Sequence, residues 1–557
     1  MEPSHHDHKF DRQIRLWGSR GQQALESSKV LVLGSGPIAS EYIKSLVLAN
    51  VAGFVVMDNA TVCIEDLGNN FFLAHGDLDS PRATAIATLL GELNPECSIE
   101  SIIRDPKTFI EGCHRQVDND DLKFLKKFQL VIATEIPLQL ASSLCEILYS
   151  DNIPFLHARS FCLIASLRMA IGEHTVVEVH PDSDMTDLYL HHSQLKRFPE
   201  LDQLLSSFDL FNPNPDEFLY SHIPFLAILV LLYRKYRTQN PDLAISPAAF
   251  RSFISSHDRF KSANFEEALR YSHYVLRDPK YIISSELQTV LSDPKTNSSS
   301  IPSQFWLLVR ALKEFIQNEG HGFLPVSPRL PDMTAETSSY IAIKKLYSDK
   351  SLCDRNALTR NVGKILKSFD LPETYVSETE IELFAKNCRS LHVSRMRDLS
   401  HDIGSDCDEI IKSIICESLA EEIDGLDAVQ NSNGNEVEQP PNDIHWFIAV
   451  KCADVFYSQH QRYPGDCNDT SLEDDLTKMK AIASDIFKNV GLGTDHINEK
   501  CLEEMVRFGS SSVHNTAAVI AGIAAQESLK LLTNQYIPFN NLCLWNGVHA
   551  TLARWKV

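Results

Sequence analysis

A glycine turn between an apolar strand and a helix constrains the fold of this chain more than any other feature. The apolar run Lys29–Leu33 ends at Gly34-Ser-Gly36, and residues with helical spacing follow over Ile38–Leu48. The next apolar run, Phe54–Met57, ends at Asp58. Small residues let the backbone approach a phosphate, a helix N-terminus attracts anions, and the acidic residue accepts hydrogen bonds from ribose hydroxyls. The pattern therefore predicts an α/β unit with a nucleotide cradle at the turn.

The alternation of strands and helices continues to about residue 150. Helices are predicted at Pro81–Leu93 and Leu138–Tyr149, and strands at Ser98–Ile103 and Leu130–Ala133. Such alternation is typical of a parallel sheet that is covered by helices on both faces. We therefore predict an α/β fold of Rossmann-like type with a mostly parallel sheet.

The pattern changes near Ser160. Two apolar runs around Gly172 predict a hairpin, and a long, mostly helical stretch follows. Near the C-terminus a small-residue helix at Thr516–Leu532 precedes a β-type run at Leu542–Trp545, which predicts that the chain returns to its first sheet. We therefore expect an N-terminal part (residues 1–165), a large, mainly helical insertion (residues 166–485) and a C-terminal return (residues 486–557).

The glycine turn alone leaves three interpretations open: binding of NAD(P), binding of ATP, or a structural relic. Pro37 bears on all of them, because it has no N–H and so removes one possible phosphate donor from the turn. Proline is also favourable in the first turn of a helix. The turn therefore does not choose between the three.

Composition and charge exclude several classes of function. The chain has 557 residues, with 52 Lys and Arg against 74 Asp and Glu, for a formal charge of −22. This background repels phosphate backbones, so we expect no nucleic-acid partner. The longest apolar run, Ile223–Tyr233, is far shorter than the ~20 residues of a membrane-spanning helix, and we expect no membrane association.

The cysteines and the N-terminus indicate a compartment with reduced thiols. The thirteen cysteines are scattered and form no CxxC pair, so we expect neither a disulfide framework nor a cysteine-based zinc site. The start, Met1–Lys9, is polar and has no apolar h-region, so we expect no signal peptide. Its His5-His-Asp-His8 run is interpreted as a solvated tail. These features predict a cytoplasmic or nuclear protein without a metal site.

Five short motifs occur once each, in a fixed order along the chain. Together they identify a family more specifically than any one of them does. They are Asp11-Arg-Gln-Ile-Arg-Leu-Trp-Gly18, Asp66-Leu-Gly-Asn-Asn-Phe-Phe72, His222-Ile-Pro, Pro331-Asp-Met333 and Arg462-Tyr-Pro-Gly465. This set resembles the family of ubiquitin-like-protein activating enzymes and, within it, the regulatory subunits of the neddylation branch. The resemblance covers nearly the whole chain and implies an adenylating fold of the ThiF/MoeB type.

The resemblance also implies which chemistry is missing. Catalytic members adenylate the C-terminus of a ubiquitin-like protein and carry Ser-Asn-Leu-Asn-Arg-Gln after the ribose-binding Asp. This chain has Glu65-Asp-Leu-Gly-Asn-Asn70 there. Asn69 thus replaces the catalytic Arg, and the segment gains two acidic residues, Glu65 and Asp66. The family's lysine is matched by Arg82, and its Mg-binding Asp by Glu135. Loss of a cation beside a triphosphate predicts a vestigial site, formed by Gly34, Gly36, Asp58, Asn69 and Asn70, that binds no cofactor.

The thioester step and the trans-acting arginine follow from the same resemblance. The nucleophilic Cys of catalytic members precedes a Thr, and none of the cysteines here does. In family dimers, an N-terminal Arg of one half reaches the ATP that is bound by the other half. The resemblance therefore implies that Arg12 serves, in trans, a catalytic subunit that holds ATP, Mg²⁺ and the active cysteine and acts on a ubiquitin-like protein.

The resemblance further places a partner interface in residues 331–347, with Asp332, Met333, Tyr340 and Ile343 as its contacts. We expect a heterodimer in which this chain is not catalytic alone.

Two alternatives remain open. One is an NAD(P)-dependent oxidoreductase that uses Gly34 and Gly36, although no second nucleotide-binding half or catalytic dyad is evident after Ser160. The other is a self-sufficient activating enzyme.

Overall fold

The computed structural model describes residues 8–115, 119–181, 187–241, 245–277, 283–404, 407–433, 442–466, 471–509 and 511–557. The chain divides into two compact units. One consists of residues 1–174 together with 394–557, and the other of residues 175–393. Among the described residues, no helix has the length and apolar content needed to cross a membrane.

A nine-stranded sheet organises the first unit. Its strands are β1 (Lys29–Leu33), β2 (Gly53–Met57), β3 (Ser98–Ile102), β4 (Leu130–Thr134), β5 (Phe155–Phe161), β6 (Ile164–Val176), β7 (His392–Met396), β8 (Leu542–Asn546) and β9 (Thr551–Trp555). The order is β3-β2-β1-β4-β5-β6-β8-β9, with β7 paired to β6. Strands β1 to β5 pair in parallel, and β5-β6-β8-β9 pair antiparallel. The predicted α/β class is confirmed.

Both faces of the parallel strands are buried, as their continuous apolar sequences require. In β1, Val30 and Val32 join the core on one face, whereas Leu31 and Leu33 join the core on the other. The helices of the N-terminal part are α1 (Asp11–Glu26), α2 (Pro37–Leu48), α3 (Asp66–Asn69), α4 (Arg82–Gly91), α5 (Pro106–Cys113), α6 (Asp120–Leu125) and α7 (Leu138–Ser150). The helices packed on both faces fix the position of the sheet's carboxyl edge, where the glycine turn lies.

The second unit is helical and has two apolar cores of its own. Phe225 and Leu226 lie in the first core, and Trp306 and Leu307 in the second. The helices are α8 (His192–Leu195), α9 (Pro199–Ser206), α10 (Glu217–Ser221), α11 (Phe225–Gln239), α12 (Pro247–His257), α13 (Ala263–Arg270), α14 (His273–Leu276), α15 (Ser285–Ser292), α16 (Gln304–Gln317), α17 (Thr337–Ser368) and α18 (Glu378–Asn387). This unit is large enough to bury a sizeable apolar core.

The chain completes the first unit with five further helices and the last two strands. The helices are α19 (Glu409–Asn433), α20 (Asp443–His460), α21 (Leu472–Val490), α22 (Glu499–Phe508) and α23 (His514–Thr533). Helix α23 packs along α2, and the Tyr42 hydroxyl lies 2.8 Å from Ser528 Oγ in their buried contact. Strand β8 then pairs with β6, although more than 350 residues of sequence separate the two strands.

The borders of the units differ from the predicted ones at residues 165 and 485. Strand β6 continues through residue 165 and pairs with both β5 and β8, so the sheet retains the chain to about residue 174. Helices α19 to α22 share a core with Phe161, Ile164 and Leu544 of the sheet. They therefore belong to the first unit, and only residues 175–393 form a separate helical body.

The predicted hairpin around Gly172 is wrong, because β6 passes straight through this residue as one strand of 13 residues. Gly172 instead lies against Asn152, whose Oδ1 would lie 2.9 Å from a Cβ at this position. The same Asn152 Oδ1 accepts a hydrogen bond from the Glu173 N–H at 2.6 Å. The glycine thus marks a close approach to the α7–β5 connection, which a turn signal in the sequence does not distinguish from a hairpin.

The Arg462-Tyr-Pro-Gly465 motif forms a clamp on α21. Arg462 Nη1 and Nη2 lie 2.7 and 2.8 Å from the two carboxylate oxygens of Asp475. The Gly465 N–H donates to Asp475 Oδ2 at 3.0 Å, and only 1% of the Asp475 side chain is exposed. These contacts lower the pKa of Asp475 from 3.8 to about 2, with the Arg462 hydrogen bonds as the largest cause.

The lowered pKa predicts an acid-dependent contribution to stability. Because the pKa of Asp475 is lower in the folded chain, its contribution is present above about pH 4 and is lost as pH falls toward 2. We expect Asp475→Asn to lower the free energy of unfolding by about 1–2 kcal/mol near pH 7 and by progressively less below pH 4. Urea unfolding across this pH range measures the difference. Asp485→Asn, at an exposed i,i+3 pair with Lys488, is the control, and a deficit that does not change with pH would contradict the prediction.

Candidate functional site

The glycine turn lies at the carboxyl edge of β1, between β2 and β4. Gly34 has φ of +94°, and a Cβ at this position would lie 2.5 Å from the Thr134 carbonyl oxygen. Its N–H donates to the Met57 carbonyl at 3.0 Å. Gly36 is the N-cap of α2, and Pro37 is its first residue. The turn therefore has the backbone geometry of a phosphate cradle, as the sequence predicts.

Glu135 occupies the space that the glycine leaves. It follows β4 with φ of +58°, and its Oε2 lies 2.1 Å from where a Cβ of Gly36 would be. Its Oε1 accepts a hydrogen bond from Ser160 Oγ at 3.2 Å, and Ser160 Oγ lies 3.1 Å from Ser512 Oγ. Desolvation raises the pKa of Glu135, although Arg82 and the two serines oppose it. A carboxyl group thus lies where a phosphate would approach the turn.

Arg82 is held by the site's own carboxylates. Its Nη2 lies 3.1 Å from Asp58 Oδ2 and its Nη1 lies 2.8 Å from Asp66 Oδ1, while its Nε donates to Ser35 Oγ at 3.0 Å. Burial lowers the pKa of Arg82, but the charges of Asp58 and Asp66 outweigh it and raise that pKa. The guanidinium is therefore neutralised within the chain.

Asp58, the residue that the glycine pattern assigns to the ribose, is also engaged. Its Oδ2 accepts hydrogen bonds from Ser35 Oγ at 2.5 Å and from Arg82, and its Oδ1 accepts the Ala60 N–H at 3.0 Å. Only 7% of the residue is exposed. A ribose hydroxyl would have to compete with these internal donors for the carboxylate.

The residues of the segment Glu65–Asn70, which replaces the family's Ser-Asn-Leu-Asn-Arg-Gln, differ in their contacts. Asn70 is buried and donates to Ser40 Oγ at 3.0 Å, so it supports the start of α2. Asn69 lines the cavity, and its side-chain oxygen has no hydrogen-bond partner in the described part of the chain. Glu65 is exposed at the cavity rim. Among the side chains of Asp58, Asn69 and Asn70, that of Asn69 alone therefore has an oxygen without a hydrogen-bond partner in the described residues.

A cavity of about 600 Å³ opens beside the turn. Its charged lining residues are Glu65, Asp66 and Glu135 against Arg82 and Arg159, and Arg159 is paired with Asp454. Among the described residues, no free cation lines this cavity. The other lining residues are Pro37, Gly68, Asn69, Ser160, Phe161, Tyr463, Ser511 and Ser512. The space would accept a nucleotide, but the charges present do not compensate a triphosphate.

The described residues contain no group of three or more His, Cys, Asp or Glu placed to hold a metal ion. His5, His6 and Asp7 of the histidine run lie outside the described residues, so the expected absence of a metal site stays a prediction. Cys63 is the cysteine close to this cavity's acidic rim, and its thiol donates to Asp66 Oδ2 at 3.2 Å. This hydrogen bond raises the pKa of Cys63, which is the opposite of the activation that a nucleophilic cysteine requires.

Arg12 lies away from the cavity lining, on the exposed side of α1. Within the described residues it forms no ion pair, whereas the neighbouring Arg15 Nε lies 3.0 Å from Asp11 Oδ2. Arg12 thus does not complete the site of its own chain. Its exposed guanidinium faces solvent.

The predicted interface residues of the second unit are not equivalent. Asp332 is exposed, and Met333 and Tyr340 are half-buried. Ile343 is fully buried in the unit's own apolar core, so it has no surface to present to a partner, and its assignment to the interface is corrected. Its neighbour Ile341 is 60% exposed. The spacing of apolar residues in the segment did not reveal which of the two faces inward.

Sequence reasoning missed Ser160, Ser512 and Asp454, which complete the site from β5, from the segment before α23 and from α20. Each is distant in sequence from the glycine turn and none belongs to a local motif. The one usable signal was the predicted return of the chain to its first sheet, which brings late residues to the same edge as β1.

The sequence of this chain is similar to those of proteins of one family. The ThiF family model matches residues 10–556. The NEDD8-activating enzyme E1 regulatory subunit of Danio rerio is 32% identical over 571 positions, which cover 99% of this chain and 98% of that protein. The same subunit of Gallus gallus is 33% identical over 570 positions, with the same coverage. The crystal structure of Escherichia coli MccB with ATP aligns with 36% of this chain and 56% of that chain, at 17% identity and a TM-score of 0.26. The chain therefore belongs to the ThiF family and, within it, to the NEDD8-activating enzyme E1 regulatory subunits.

Proposed function

We propose that this chain is the non-catalytic half of a heterodimer that activates a ubiquitin-like protein in the neddylation pathway. The catalytic partner would hold ATP, Mg²⁺ and the active cysteine, and this chain would bind no cofactor itself. The observation that carries the proposal is the closed network of Arg82, Asp58, Asp66 and Ser35. It supports a site whose cation and ribose acceptor are already committed within the chain.

The charge balance supports the same conclusion. Adenylation brings a carboxylate against the α-phosphate, so an active site needs cations that are free to face the substrate. Here the carboxyl of Glu135 lies over Gly36, and both arginines of the cavity are paired internally. A triphosphate would have to displace these ion pairs before it gained any compensation, and the released carboxylates would then repel it.

The surface around Arg12 supports contact with another protein. Gln13 Nε2 donates to the Leu48 carbonyl at 3.1 Å, which ties α1 to the end of α2. Leu16, one turn after Gln13, and Leu48 are both more than half exposed. Large apolar side chains that share one region of the surface mark an interaction site. Arg12 would extend from this region into the partner's nucleotide site, where a guanidinium stabilises the charge that develops on phosphate.

Arg12→Ala is expected to slow ATP–pyrophosphate exchange by the reconstituted heterodimer at least tenfold, or about 1.4 kcal/mol. The heterodimer should remain intact by size-exclusion chromatography, because a single exposed side chain is removed. Arg15→Ala is the matched control, since Arg15 lies on the same helix but pairs with Asp11. Unchanged exchange in the Arg12 variant, or an equal loss in both variants, would reject the trans role.

The isolated chain provides the second test. When it is incubated with ATP, Mg²⁺ and the ubiquitin-like protein, we expect no adenylate, whereas the heterodimer should form it. Adenylate formation by the isolated chain would instead support a self-sufficient activating enzyme. Saturable NADH fluorescence would support the oxidoreductase alternative.

We also propose a cytoplasmic or nuclear location. The twelve cysteines in the described part of the chain are all free thiols, which supports a reducing compartment.

A further inference from the structure

A groove in the helical unit brings together the His222-Ile-Pro motif, which the proposed function does not use, and the 331–347 segment, for which the resemblance implies a partner interface. It has a volume of about 260 Å³ and lies between α10, with the loop before it, and the start of α17. Its lining includes Asp209, Asp216, Leu219, Tyr220, His222 and Glu336. His222 and Ile223 belong to the His-Ile-Pro motif, and Glu336 and Ser339 to the 331–347 segment, so the motif and this segment meet at one cavity.

The edge of the groove exposes large apolar side chains. Phe218 and Leu219, adjacent on α10, are 61% and 60% exposed, and Phe211 in the preceding loop is 43% exposed. The Phe218 ring lies 4.1 Å from the His222 ring, centroid to centroid, and the His222 Nδ1 lies 2.7 Å from the Phe218 carbonyl. The Phe218 ring is thus held beside His222 while 61% of the residue remains exposed. Several large exposed apolar side chains beside a cavity are typical of a protein-interaction site.

The negative charge of the groove favours an occupant with basic side chains. Its charged lining residues are Asp209, Asp216 and Glu336, and none of the three has an ion-pair partner among the described residues. Asp216 Oδ1 accepts the Leu219 N–H at 3.0 Å and Asp209 Oδ2 accepts from Asn212 Nδ2 at 3.1 Å, so their contacts are hydrogen bonds to neutral groups. The groove is therefore anionic as well as apolar.

The nearby cations form no ion pair with these three carboxylates in the described part of the chain. Arg259 donates to the carbonyl oxygens of Asn212 and Pro213 at 2.8 and 3.1 Å and lies over the Tyr220 ring. The Lys235 Nζ lies 4.4 Å from the centroid of the Phe211 ring and 3.1 Å from His257 Nε2. Both cations are thus engaged by carbonyl oxygens, rings and a histidine, and the three carboxylates remain available to an incoming cation.

We propose that this groove docks a short segment of another protein in which a large apolar side chain is flanked by Lys or Arg. The apolar side chain would enter the cavity beside Leu219 and Tyr220, and the basic residues would face Asp209, Asp216 and Glu336. Electrostatic complementarity of this kind selects the partner and accelerates its association. The proposal does not depend on adenylation chemistry, and it holds whether or not Arg12 acts in trans.

A random-peptide phage library selected on the full chain tests the proposal. We expect the enriched sequences to combine Leu, Ile or Phe with neighbouring Lys or Arg. Labelled synthetic copies of these peptides should bind with an affinity that falls as salt rises, because the charged contacts are screened. Phe218→Ser and Glu336→Lys should each weaken binding at least tenfold in fluorescence anisotropy.

Matched variants separate the groove from general surface effects. Ile301→Ser removes an equally exposed apolar side chain of the same unit, and Glu373→Lys reverses an exposed charge; neither lines the groove. Both should bind the peptides as the original chain does, and all four variants should keep their urea-unfolding midpoints. The proposal is overturned if no sequence enriches over the Phe218→Ser/Glu336→Lys double variant, if the enriched peptides lack basic residues, or if the control variants weaken binding equally.

Discussion

Asp454→Ala is expected to lower the free energy of unfolding by about 3–5 kcal/mol, because it leaves a buried guanidinium without its counter-charge. Arg159 on β5 and Asp454 on α20 have side chains that are only 8% and 7% exposed. Both arms of the guanidinium contact the carboxylate, and Nη2 lies 2.9 Å from Oδ2. Burial opposes the charge of Arg159, but Asp454 more than offsets it and raises the pKa of Arg159. Urea unfolding monitored by circular dichroism measures the loss.

Two comparisons make this result specific to the buried pair. Asp485→Ala removes one partner of an exposed pair with Lys488, whose side chains are 65% and 70% exposed, and should change stability by less than about 1 kcal/mol. The double variant Arg159→Met/Asp454→Leu removes both charges and should recover most of the stability that Asp454→Ala loses. A loss below about 1 kcal/mol for Asp454→Ala would mean that water compensates Arg159, and the pair would then have no role in fixing α20 on the sheet.

Gly465→Ala is expected to lower the free energy of unfolding by roughly 2–4 kcal/mol. Gly465 has φ of +78°, a conformation that costs a residue with a Cβ about 1–2 kcal/mol. A Cβ there would also lie 1.9 Å from the Val506 carbonyl oxygen, so the backbone of the clamp or of α22 has to move. That movement would stretch the hydrogen bond from the Gly465 N–H to Asp475.

Gly491→Ala separates the two causes. Gly491 ends α21 with φ of +85°, and no atom lies within 4 Å of where its Cβ would be. Its substitution should therefore show the conformational cost alone, about 1–2 kcal/mol. The difference between the two variants in urea unfolding measures the close approach at Gly465. Equal losses would show that the contact with Val506 relaxes freely and that the motif needs its glycine only for backbone conformation.

The local parts of the site were predictable from the sequence. The strand, the glycine turn and the helix that follows are adjacent in the chain, so apolar spacing and two glycines suffice to place Gly34 and Gly36. Asp58 could be placed because parallel strands end at the same edge of a sheet. The motif order also identified the family, because five weak matches in sequence order are jointly specific.

The pairing of charges at the site could not be predicted in the same way. Nothing in the spacing of Asp58, Asp66 and Arg82 indicates that one guanidinium lies between both carboxylates, since α3 and α4 must first pack against the sheet. The position of Glu135 over Gly36 likewise depends on a positive φ that the sequence does not announce for a glutamate. Only the closed helical core determines that Ile343 points inward.

The return of the chain to its first sheet affects how the protein folds while it is being synthesised. Strand β6 needs β8 as a neighbour, and Tyr42 needs Ser528, so the N-terminal half emerges from the ribosome with an unpaired sheet edge and an apolar helix face uncovered. At about 5–20 residues per second, the missing strands arrive on the order of tens of seconds later. During that interval the nascent polypeptide offers chaperones a long-lived hydrophobic target, and the helical unit is free to fold first.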